Sequence, residues 1–550
     1  MKSRKVWGTL HPFFERGDIM GRSVANEGFI RALLSRNPYD EYHFFLADTA
    51  SVDFVRDSLA EAFPLLASKG AFRVATRYAL PDAVAAEDYA VFHLSDCITD
   101  TVPLLRLRNA VSRSIFPVTG TTHSLSYARY PLHFFDQMWQ GVTKRDAVIA
   151  TSRAGLAAVA AMFAAFRNGY GLDASWRSPR LERIPLGISP QDFPTPEEKA
   201  ALGADTRKRY AIPPGHLVLL VFARISHYSK MDVLPLFRAL VRAEKQGLAH
   251  GGYTLVLAGW QDSDAASTSY ATIAGQLGIS FQIVPSPDDA ARKGLFAAAD
   301  IFLSPVDNPQ ETFGLTMLEA GVSGLPVVAS DFDGYRDIVL DGETGFLAST
   351  LGPGSTPETD ALSGVWFDNQ QHLQLAQQSV VSVPCLARAV ADLATNPALR
   401  ARFGAAARQR VLEEYTWDSV ATRHVALWNE LASIPVQPPA MAHPLHPGYP
   451  SIFGGYYSRI FDQNTSNIQV RWSAFGEAVY RGRDFPAVYG GVERLVSMDA
   501  LKKMLFLARK PVRMAALLTE DEREKTTPAA ERAAFLILWA LKHDLLEEVS

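Results

Sequence analysis

The chain has 550 residues, of which 48% are hydrophobic, so it is long enough for about three domains with buried cores. Its 54 basic and 58 acidic residues give a formal net charge of −4, which excludes a global electrostatic attraction to nucleic acid or acidic lipid. Its two cysteines, Cys97 and Cys385, argue against a disulfide framework and are typical of free thiols in a reducing compartment. The sequence has neither an apolar run of signal-peptide length at its N-terminus nor an uninterrupted apolar stretch of about 18 residues, so we expect a cytoplasmic protein.

Apolar runs of strand length alternate with amphipathic helical patterns along most of the chain. The runs in the first half are Tyr42–Asp48, Tyr89–Asp96, Arg113–Gly120 and Asp146–Ser152. The runs in the second half are His216–Arg224, Tyr253–Trp260, Phe281–Pro287, Ala299–Pro305 and Leu325–Asp331. This alternation predicts βα units on parallel sheets, so we expect an α/β fold with two doubly wound domains.

Two breaks in composition divide the chain. The proline-containing and polar segment Arg183–Gly203 is the natural junction between the two predicted domains. The proline-rich segment Ser433–Ser451 predicts a linker or an extended strap. Beyond it the βα rhythm is absent, and two helical patterns cover about 498–520 and 529–549.

The segment Ser304–Asp331 places Glu311 and Glu319 eight positions apart, with Gly314 between them. We predict a strand, a loop that contains Glu311, and a helix that places Glu319 roughly 7 Å further along its axis. The N-terminus of such a helix attracts anions, and the glycine lets a ligand approach the backbone. Because carboxylates commonly hold the vicinal hydroxyls of a ribose, Glu319 suits a nucleotide ribose and Glu311 a sugar beyond the phosphates. The alternative for this pair is two solvated glutamates.

The stretch ETFGLTMLEAGVSGLPVVASD within this segment resembles the E-x7-E motif of retaining glycosyltransferases of the GT-B fold, specifically glycosyltransferase family 4. The resemblance implies two Rossmann-like domains that face a cleft and bind a nucleotide-sugar donor. The donor-binding positions that it implies here are Glu311, Phe313, Gly314, Leu315 and Glu319. The resemblance extends over about Lys5–Leu431.

A second piece of the resemblance is VFARISHYSKMDVLPLFRAL, which is similar to the family's strand followed by an arginine and a lysine. It implies that Arg224 and Lys230 bind the donor pyrophosphate. Two preorganised cations stabilise the negative charge of a departing nucleoside diphosphate without a metal. Met231 stands where the family usually has a glycine, which leaves the shape of this loop open.

Two segments of the first half resemble the family's N-terminal domain. In VTGTTHSLSY the resemblance places His123 against the donor sugar; a structural or surface histidine is the alternative. The segment His11–Leu34 resembles the family's first glycine-bearing loop and helix, which implies that Gly21 lies near the phosphate or the acceptor, with Arg22 beside it. The usual double glycine is absent there.

The segment FDGYRDIVLDGETGFL looks like the family's turn of two glycines followed by a glutamate. Asp333 occupies the position of the first glycine and Asp337 that of the glutamate. We interpret Gly334 and Asp337 as structural.

Together, the pattern and the resemblance predict five regions. The first Rossmann-like domain, on the acceptor side, covers 1–195, and the second, on the donor side, covers 196–410. A helix at 411–432 crosses back to the first domain and a proline-rich linker covers 433–455. A mainly helical extension covers 456–550.

The resemblance implies a metal-independent transfer with retention by front-face substitution, in which Arg224 and Lys230 stabilise the leaving diphosphate. We expect neither cofactor nor metal, because no DxD motif follows a strand among acidic neighbours; the DSD at 262–264 is interpreted as a solvated loop. The alternatives are an epimerase or phosphorylase of the same fold, or a catalytically silent protein that binds nucleotide sugars.

The expected partners are a nucleotide-sugar donor and a glycan, lipid-linked or protein acceptor, without nucleic acid. The aromatic segment Arg129–Trp139 lines the acceptor site, faces a membrane or packs in the core. The extension recognises a protein acceptor, mediates self-association or only stabilises the second domain.

Overall fold

A computed structural model describes residues 4–15, 21–261, 264–462, 467–524 and 528–549. The interpretation of the DSD motif falls on residues 262 and 263, which lie outside this description, and on Asp264, the first residue of a helix. Within the described ranges, no helix is both long enough and apolar enough to cross a membrane.

The first domain contains a seven-stranded parallel sheet in the order β3-β2-β1-β4-β5-β6-β7. Its strands are Val6–Thr9 (β1), Glu41–Leu46 (β2), Phe72–Thr76 (β3), Tyr89–Leu94 (β4), Val118–Thr121 (β5), Ala147–Ala150 (β6) and Arg180–Arg183 (β7). The helices in this region are Gly21–Arg36 (α1), Thr49–Ala62 (α2), Pro64–Ser68 (α3), Leu80–Ala86 (α4), Thr101–Val111 (α5), Tyr130–Asp136 (α6) and Arg153–Tyr170 (α7).

The second domain repeats this architecture with a six-stranded parallel sheet in the order β10-β9-β8-β11-β12-β13. Its strands are Leu217–Phe222 (β8), Tyr253–Gly259 (β9), Phe281–Pro285 (β10), Ile301–Ser304 (β11), Val327–Ser330 (β12) and Gly345–Ala348 (β13), and a separate two-stranded sheet joins Thr350–Leu351 (β14) and Val380–Val381 (β15). The helices are Pro196–Arg209 (α8), Leu234–Glu244 (α9), Asp264–Gln276 (α10), Asp289–Ala298 (α11), Leu315–Val322 (α12), Tyr335–Ile338 (α13), Pro357–Leu362 (α14), Asp368–Ala376 (α15), Val383–Thr395 (α16), Pro397–Glu414 (α17) and Trp417–Ser433 (α18).

These two sheets confirm the predicted α/β class. Every strand predicted from an apolar run is present, because parallel strands are covered by helices on both faces and are therefore apolar throughout. β9, for example, is buried at all seven positions.

The helix α18 belongs to the core of the first domain although it follows the second in sequence. Trp417, Trp428 and Leu431 are buried in the same cluster as residues of α1 and β1, and the Trp428 indole N–H donates to Thr119 Oγ1 at 3.0 Å. The chain also crosses between the two domains near Ile188, whose backbone pairs with the residues around Thr416. The two crossings are therefore hydrogen-bonded to each other.

The aromatic segment 129–139 forms α6 and the turn after it. Phe134, Met138 and Trp139 are fully buried, so they pack in the core, whereas Leu132 is 67% exposed.

The chain divides into two compact units, of which the first comprises residues 1–77, 88–105 and 114–439 and contains both sheets. The second unit comprises 78–87, 106–113 and 440–550. Its boundary at 440 precedes the predicted start of the extension at 456, and it includes two short segments from the first half of the chain.

The C-terminal part of the second unit combines helices with a three-stranded antiparallel sheet in the order β17-β16-β18. Its elements are Tyr449–Phe453 (α19), Gln469–Trp472 (β16), Ala474–Tyr480 (α20), Met498–Leu507 (α21), Val512–Arg513 (β17), Glu520–Glu524 (α22), Pro528–Lys542 (α23) and Leu546–Glu548 (β18). The first predicted helical pattern, at about 498–520, forms a helix only over α21 and continues into β17, and the second, at about 529–549, forms α23 and ends in β18. The small sheet was not predicted, because strands of two to four residues carry no readable alternation.

Candidate active site

The predicted donor residues of the second domain lie where two neighbouring strands end. β8 and β11 are adjacent in the sheet, and the strand order reverses between them. Arg224 and Lys230 follow β8, whereas Glu311 and Gly314 follow β11. Open α/β sheets bind ligands in the crevice at such a switch point, outside the carboxyl ends of the strands.

Glu311 and Lys230, which are 81 positions apart in sequence, form an ion pair between Oε2 and Nζ. The carboxylate also accepts from the backbone N–H groups of Thr312 and Phe313 at 3.2 and 3.3 Å and from the Tyr335 hydroxyl at 3.3 Å. Burial alone would raise the pKa of Glu311, but the charge and hydrogen bond of Lys230, with the backbone donors, hold it below its usual value. Glu311 is therefore ionised at neutral pH and held in one orientation.

Arg224 lies in the same loop as Lys230, between β8 and α9. Its Nη1 donates to Ser229 Oγ at 3.2 Å, and Ser229 in turn donates to Ser226 Oγ at 2.7 Å. Met231, at the position of the family's glycine, is 3% exposed and packs in the core of the second domain. Its φ is not positive, so this loop has no need for a glycine there.

Glu319 lies on α12 and pairs with Arg292 of α11, which sequence analysis missed. Arg292 Nη1 donates to Glu319 Oε1 at 2.6 Å, while Glu319 Oε2 is buried and has no hydrogen-bond partner among the described residues. Burial raises the pKa of Glu319 to about 7, although the charge and hydrogen bond of Arg292 act in the opposite direction. One oxygen of this carboxylate is thus fixed by Arg292, and the other is a buried acceptor without a partner among the described residues.

Gly314 is the N-cap of α12, with a φ of 100° and no side-chain cap. A Cβ at this position would lie 2.3 Å from Tyr335 Cε1, so both the backbone conformation and the contact require glycine. Phe313, which is 2% exposed, lies near the ring of Tyr415 with a centroid distance of 6.3 Å, and Leu315 packs against the cores of both domains. These two side chains support the loop, so a ligand would meet Phe313 and Leu315 through their backbone.

His123 follows β5 in the first domain and lines a pocket with His93 and His424. Its Nε2–H donates to the Ser95 carbonyl at 2.8 Å. Burial lowers the pKa of His123, and the charge of Arg22 lowers it further. The hydrogen bond to Ser95 raises this pKa, but the net shift is downward. The ring is therefore neutral, with Nδ1 as an acceptor.

Gly21 begins α1 next to Arg22, whose Nη2 pairs with Glu15 at 3.2 Å. Space around the Gly21 Cα is open, since an added Cβ would meet no described atom within 4 Å. Residues 16–20 of the predicted glycine loop lie outside the described residues. No described contact joins Gly21 to the donor residues of the second domain.

The loop that carries His123 is hydrogen-bonded to the loop that carries Glu311. Ser124 Oγ donates to the Gln310 carbonyl at 3.2 Å, and Gln310 Nε2 donates to the Tyr127 hydroxyl at 2.8 Å. The same loop is held from α15, where Asp368 accepts from the Ala128 N–H at 3.0 Å and His372 contacts Ser126 at 2.8 Å. The loops that carry the predicted histidine and glutamate are therefore held together across the two domains.

The turn after β12 also bridges the two domains. Asp337 is buried, pairs with the Arg153 guanidinium and accepts from the Arg153 backbone N–H at 2.7 Å. Asp333 accepts a hydrogen bond from Ser152 at 2.9 Å. Asp337 thus tethers α7 to the second domain.

The two doubly wound domains have the architecture of the GT-B fold. The charged residues lie at the switch point of the second domain. Anabaena HepE in complex with UDP-glucose is 16% identical to this chain, with a TM-score of 0.50 over 78% of this chain and all of that chain. A glycosyltransferase from Rickettsia africae is 13% identical, with a TM-score of 0.50 over 79% of this chain and all of that chain. These likenesses show the fold.

Residues 204–351 match the family model of group 1 glycosyl transferases, which confirms the resemblance predicted from the sequence. A phosphatidyl-myo-inositol mannosyltransferase from Mycobacterium tuberculosis (strain CDC 1551 / Oshkosh) is 25% identical over 268 residues, which are 46% of this chain and 62% of the relative. A D-inositol 3-phosphate glycosyltransferase from Stackebrandtia nassauensis is 32% identical over 195 residues, which are 35% of this chain and 42% of the relative. The chain thus spans less than two thirds of the length of these curated relatives.

Proposed function

We propose that the protein transfers a glycosyl group from a nucleotide sugar to an acceptor hydroxyl, with retention of anomeric configuration and without a metal ion. The observation that carries this proposal is the Lys230–Glu311 ion pair at the switch point between β8 and β11, in the loop of Arg224. Lys230 and Arg224 are cations that suit a diphosphate, and Glu311 beside them is a carboxylate that suits sugar hydroxyls.

The donor lies along the loop and the first turns of α12. Its diphosphate meets Arg224 and Lys230, and its ribose donates a hydroxyl hydrogen bond to Oε2 of Glu319, which must first turn out of its solvent-inaccessible position. Its glycosyl group meets Glu311 and the N-terminus of α12 at Gly314, where the N–H groups have no capping side chain. Glu311 and Glu319 pair with different cations, Lys230 and Arg292, which supports two separate roles for the two carboxylates.

The reaction is a front-face substitution. The bond between C1 and the diphosphate oxygen breaks as the acceptor oxygen bonds to C1 on the same face, and the acceptor proton passes to the leaving phosphate. Lys230 and Arg224 stabilise the negative charge that develops on the leaving group. Because Lys230 is paired with Glu311, donor binding requires it to exchange this carboxylate for the diphosphate, which also releases Glu311 oxygens for the sugar.

The acceptor approaches from the first domain, beside His123. The neutral ring of His123, with Nε2–H committed to Ser95, leaves Nδ1 to accept a hydroxyl hydrogen bond. The mannosyltransferase and glycosyltransferase relatives described above are named for phosphatidyl-myo-inositol and D-inositol 3-phosphate, so phosphatidylinositol and myo-inositol phosphates are the first acceptors to assay.

The test is to incubate the protein with UDP-glucose, UDP-N-acetylglucosamine and GDP-mannose and to measure the nucleoside diphosphate released without an acceptor. We expect slow hydrolysis of one donor, unchanged by EDTA and at least roughly tenfold slower in Arg224→Ala. NMR of a transfer product should show the anomeric configuration of the donor. Absence of hydrolysis and transfer with every donor would favour a silent binding protein, a product epimerised at C2 would favour an epimerase, and abolition by EDTA would refute the metal-free mechanism.

A further inference from the structure

Asp333 adopts a backbone conformation that L-residues rarely take. Its φ is 41°, in the left-handed region, where aspartate and asparagine are the residues best tolerated after glycine. It occupies a position at which the family resemblance leads one to expect a glycine. Such outliers are retained mainly at functional sites, where the surrounding structure holds them in place.

The turn that carries Asp333 lies directly against the loop of Glu311. A Cβ on the next residue, Gly334, would lie 2.6 Å from Phe313 Cα and 2.8 Å from the Thr312 carbonyl oxygen. One residue further, the Tyr335 hydroxyl donates to Glu311 Oε2 at 3.3 Å. The turn is therefore closely packed against the glutamate loop and hydrogen-bonded to it.

The carboxyl group of Asp333 is oriented by the first domain. Ser152 Oγ donates to Oδ1 at 2.9 Å, and the same Ser152 oxygen caps α7 by accepting from the Gly155 N–H at 2.9 Å. Oδ2 makes no hydrogen bond in the described part of the chain, and it is not fully buried. It can therefore meet a ligand in the cleft.

Asp333 and Glu311 share one electrostatic environment. Burial raises the pKa of Asp333 to about 7, and the charges of Glu311 and Asp337 raise it as well, while the Ser152 hydrogen bond and the charge of Arg336 lower it. Among the described residues, no arginine or lysine forms an ion pair with Asp333. Above pH 7 both Glu311 and Asp333 are thus ionised, and of these two carboxylates only Glu311 forms an ion pair among the described residues.

We propose that Asp333 is a specificity-determining residue of the glycosyl subsite, where it forms a second acidic group beside Glu311 and selects neutral sugars over sugars that bear a carboxylate. The inference rests on the proposed function, because it requires Glu311 to face the glycosyl group. Hydroxyl groups donate hydrogen bonds to both carboxylates, whereas the carboxylate of a hexuronosyl group is repelled by them. Asp333 thereby disfavours sugars that bear a carboxylate and also binds the hydroxyl groups of neutral sugars.

The test is calorimetric binding at pH 8 with two matched pairs, UDP-glucose with UDP-glucuronate and GDP-mannose with GDP-mannuronate. The wild type should bind the neutral member of its preferred pair at least roughly tenfold more tightly. Asp333→Asn and Asp333→Gly both suit a positive φ, so the fold is preserved, and each should reduce this preference by about fivefold or more, mainly through tighter binding of the hexuronate.

Asp331→Asn is the matched control, because Asp331 lies in the same turn, is 45% exposed and faces Arg336 at 3.4 Å. It should leave the preference unchanged. A preference that is the same in wild type, Asp333→Asn and Asp333→Gly would overturn the inference while leaving the proposed function intact. Binding of none of the four nucleotide sugars would overturn both.

Discussion

Replacement of Glu319 tests the placement of the nucleotide. Glu319→Ala removes the buried Oε2 that accepts the proposed ribose hydroxyl, whereas Glu319→Gln removes only the charge and keeps an amide oxygen for Arg292. Loss of a charge-assisted hydrogen bond costs about 1.5 to 3 kcal/mol. This corresponds to a rise in donor KM of roughly tenfold to 150-fold, with the larger effect in Glu319→Ala.

The pH dependence of wild-type donor binding follows from the same carboxylate. Since burial raises the pKa of Glu319 to about 7, the group is ionised above this pH and becomes protonated as the pH falls through it. A neutral carboxyl accepts the ribose hydrogen bond less strongly, so donor KM should rise on the acid side of pH 7. In Glu319→Gln the part of this dependence that Glu319 causes should disappear, and only the titration of Asp333, whose pKa burial also raises to about 7, should remain.

The assay is initial-rate donor hydrolysis at a series of donor concentrations between pH 6 and 8.5. Asp289→Asn is the control, because Asp289 is the 62% exposed second partner of Arg292 and leaves the Glu319 pair intact. It should keep the KM of the wild type. A KM within a factor of about two of wild type in both Glu319 variants, with the same pH profile, would refute the ribose role of Glu319.

Three further predictions concern charge, backbone and the C-terminal unit. Lys230→Ala should lower kcat for donor hydrolysis by more than about tenfold, and added magnesium should not restore it, as initial rates would show. Gly314→Ala should cost about 1 to 3 kcal/mol in unfolding free energy and most of the hydrolysis, because its Cβ would strike Tyr335 at a positive φ, whereas Gly352→Ala in open space should behave as wild type. Truncation after Pro439 should leave hydrolysis within a few-fold but reduce transfer to the natural acceptor by about an order of magnitude, if the removed part selects the acceptor; an insoluble product or equal loss of both activities would contradict this role.

Eight of the nine strands that sequence analysis found lie in the interior of a sheet, and the ninth, β10, is an edge strand of the second sheet. The missed strands are short or lie at an edge, such as β7, whose sequence RLER is charged and only partly buried. Its pairing with β6 is decided by the sheet and not by its own composition. The interior of the parallel sheets was therefore largely predictable, but three of their four edge strands and the small antiparallel sheet of the C-terminal unit were not.

The predictable part of the candidate site consists of residues close in sequence to a strand end. Glu311 and Lys230 follow β11 and β8 in local patterns, and their adjacency then follows from the sheet order. Arg292 has no such signal, because it precedes Glu319 by 27 positions and reaches it from another helix. The sequence identifies Asp333 as a departure from the family's glycine, but its partner Ser152 lies 181 positions away on the other domain.

The chain crosses between the two Rossmann-like domains twice, near Ile188 and near Thr416, and these two connecting segments limit how the domains can move apart. The Ile188 N–H donates to the Tyr415 carbonyl at 2.8 Å and the Trp417 N–H donates to the Ile188 carbonyl at 3.0 Å, so the two connecting segments form one ribbon. A Cβ on Gly187 would lie 2.8 Å from the Trp417 ring, which leaves little room for the segments to slide past each other. The two segments are thus joined side by side, and any rotation of one domain against the other about them would require hydrogen bonds at the cleft, such as Ser152 to Asp333, to break.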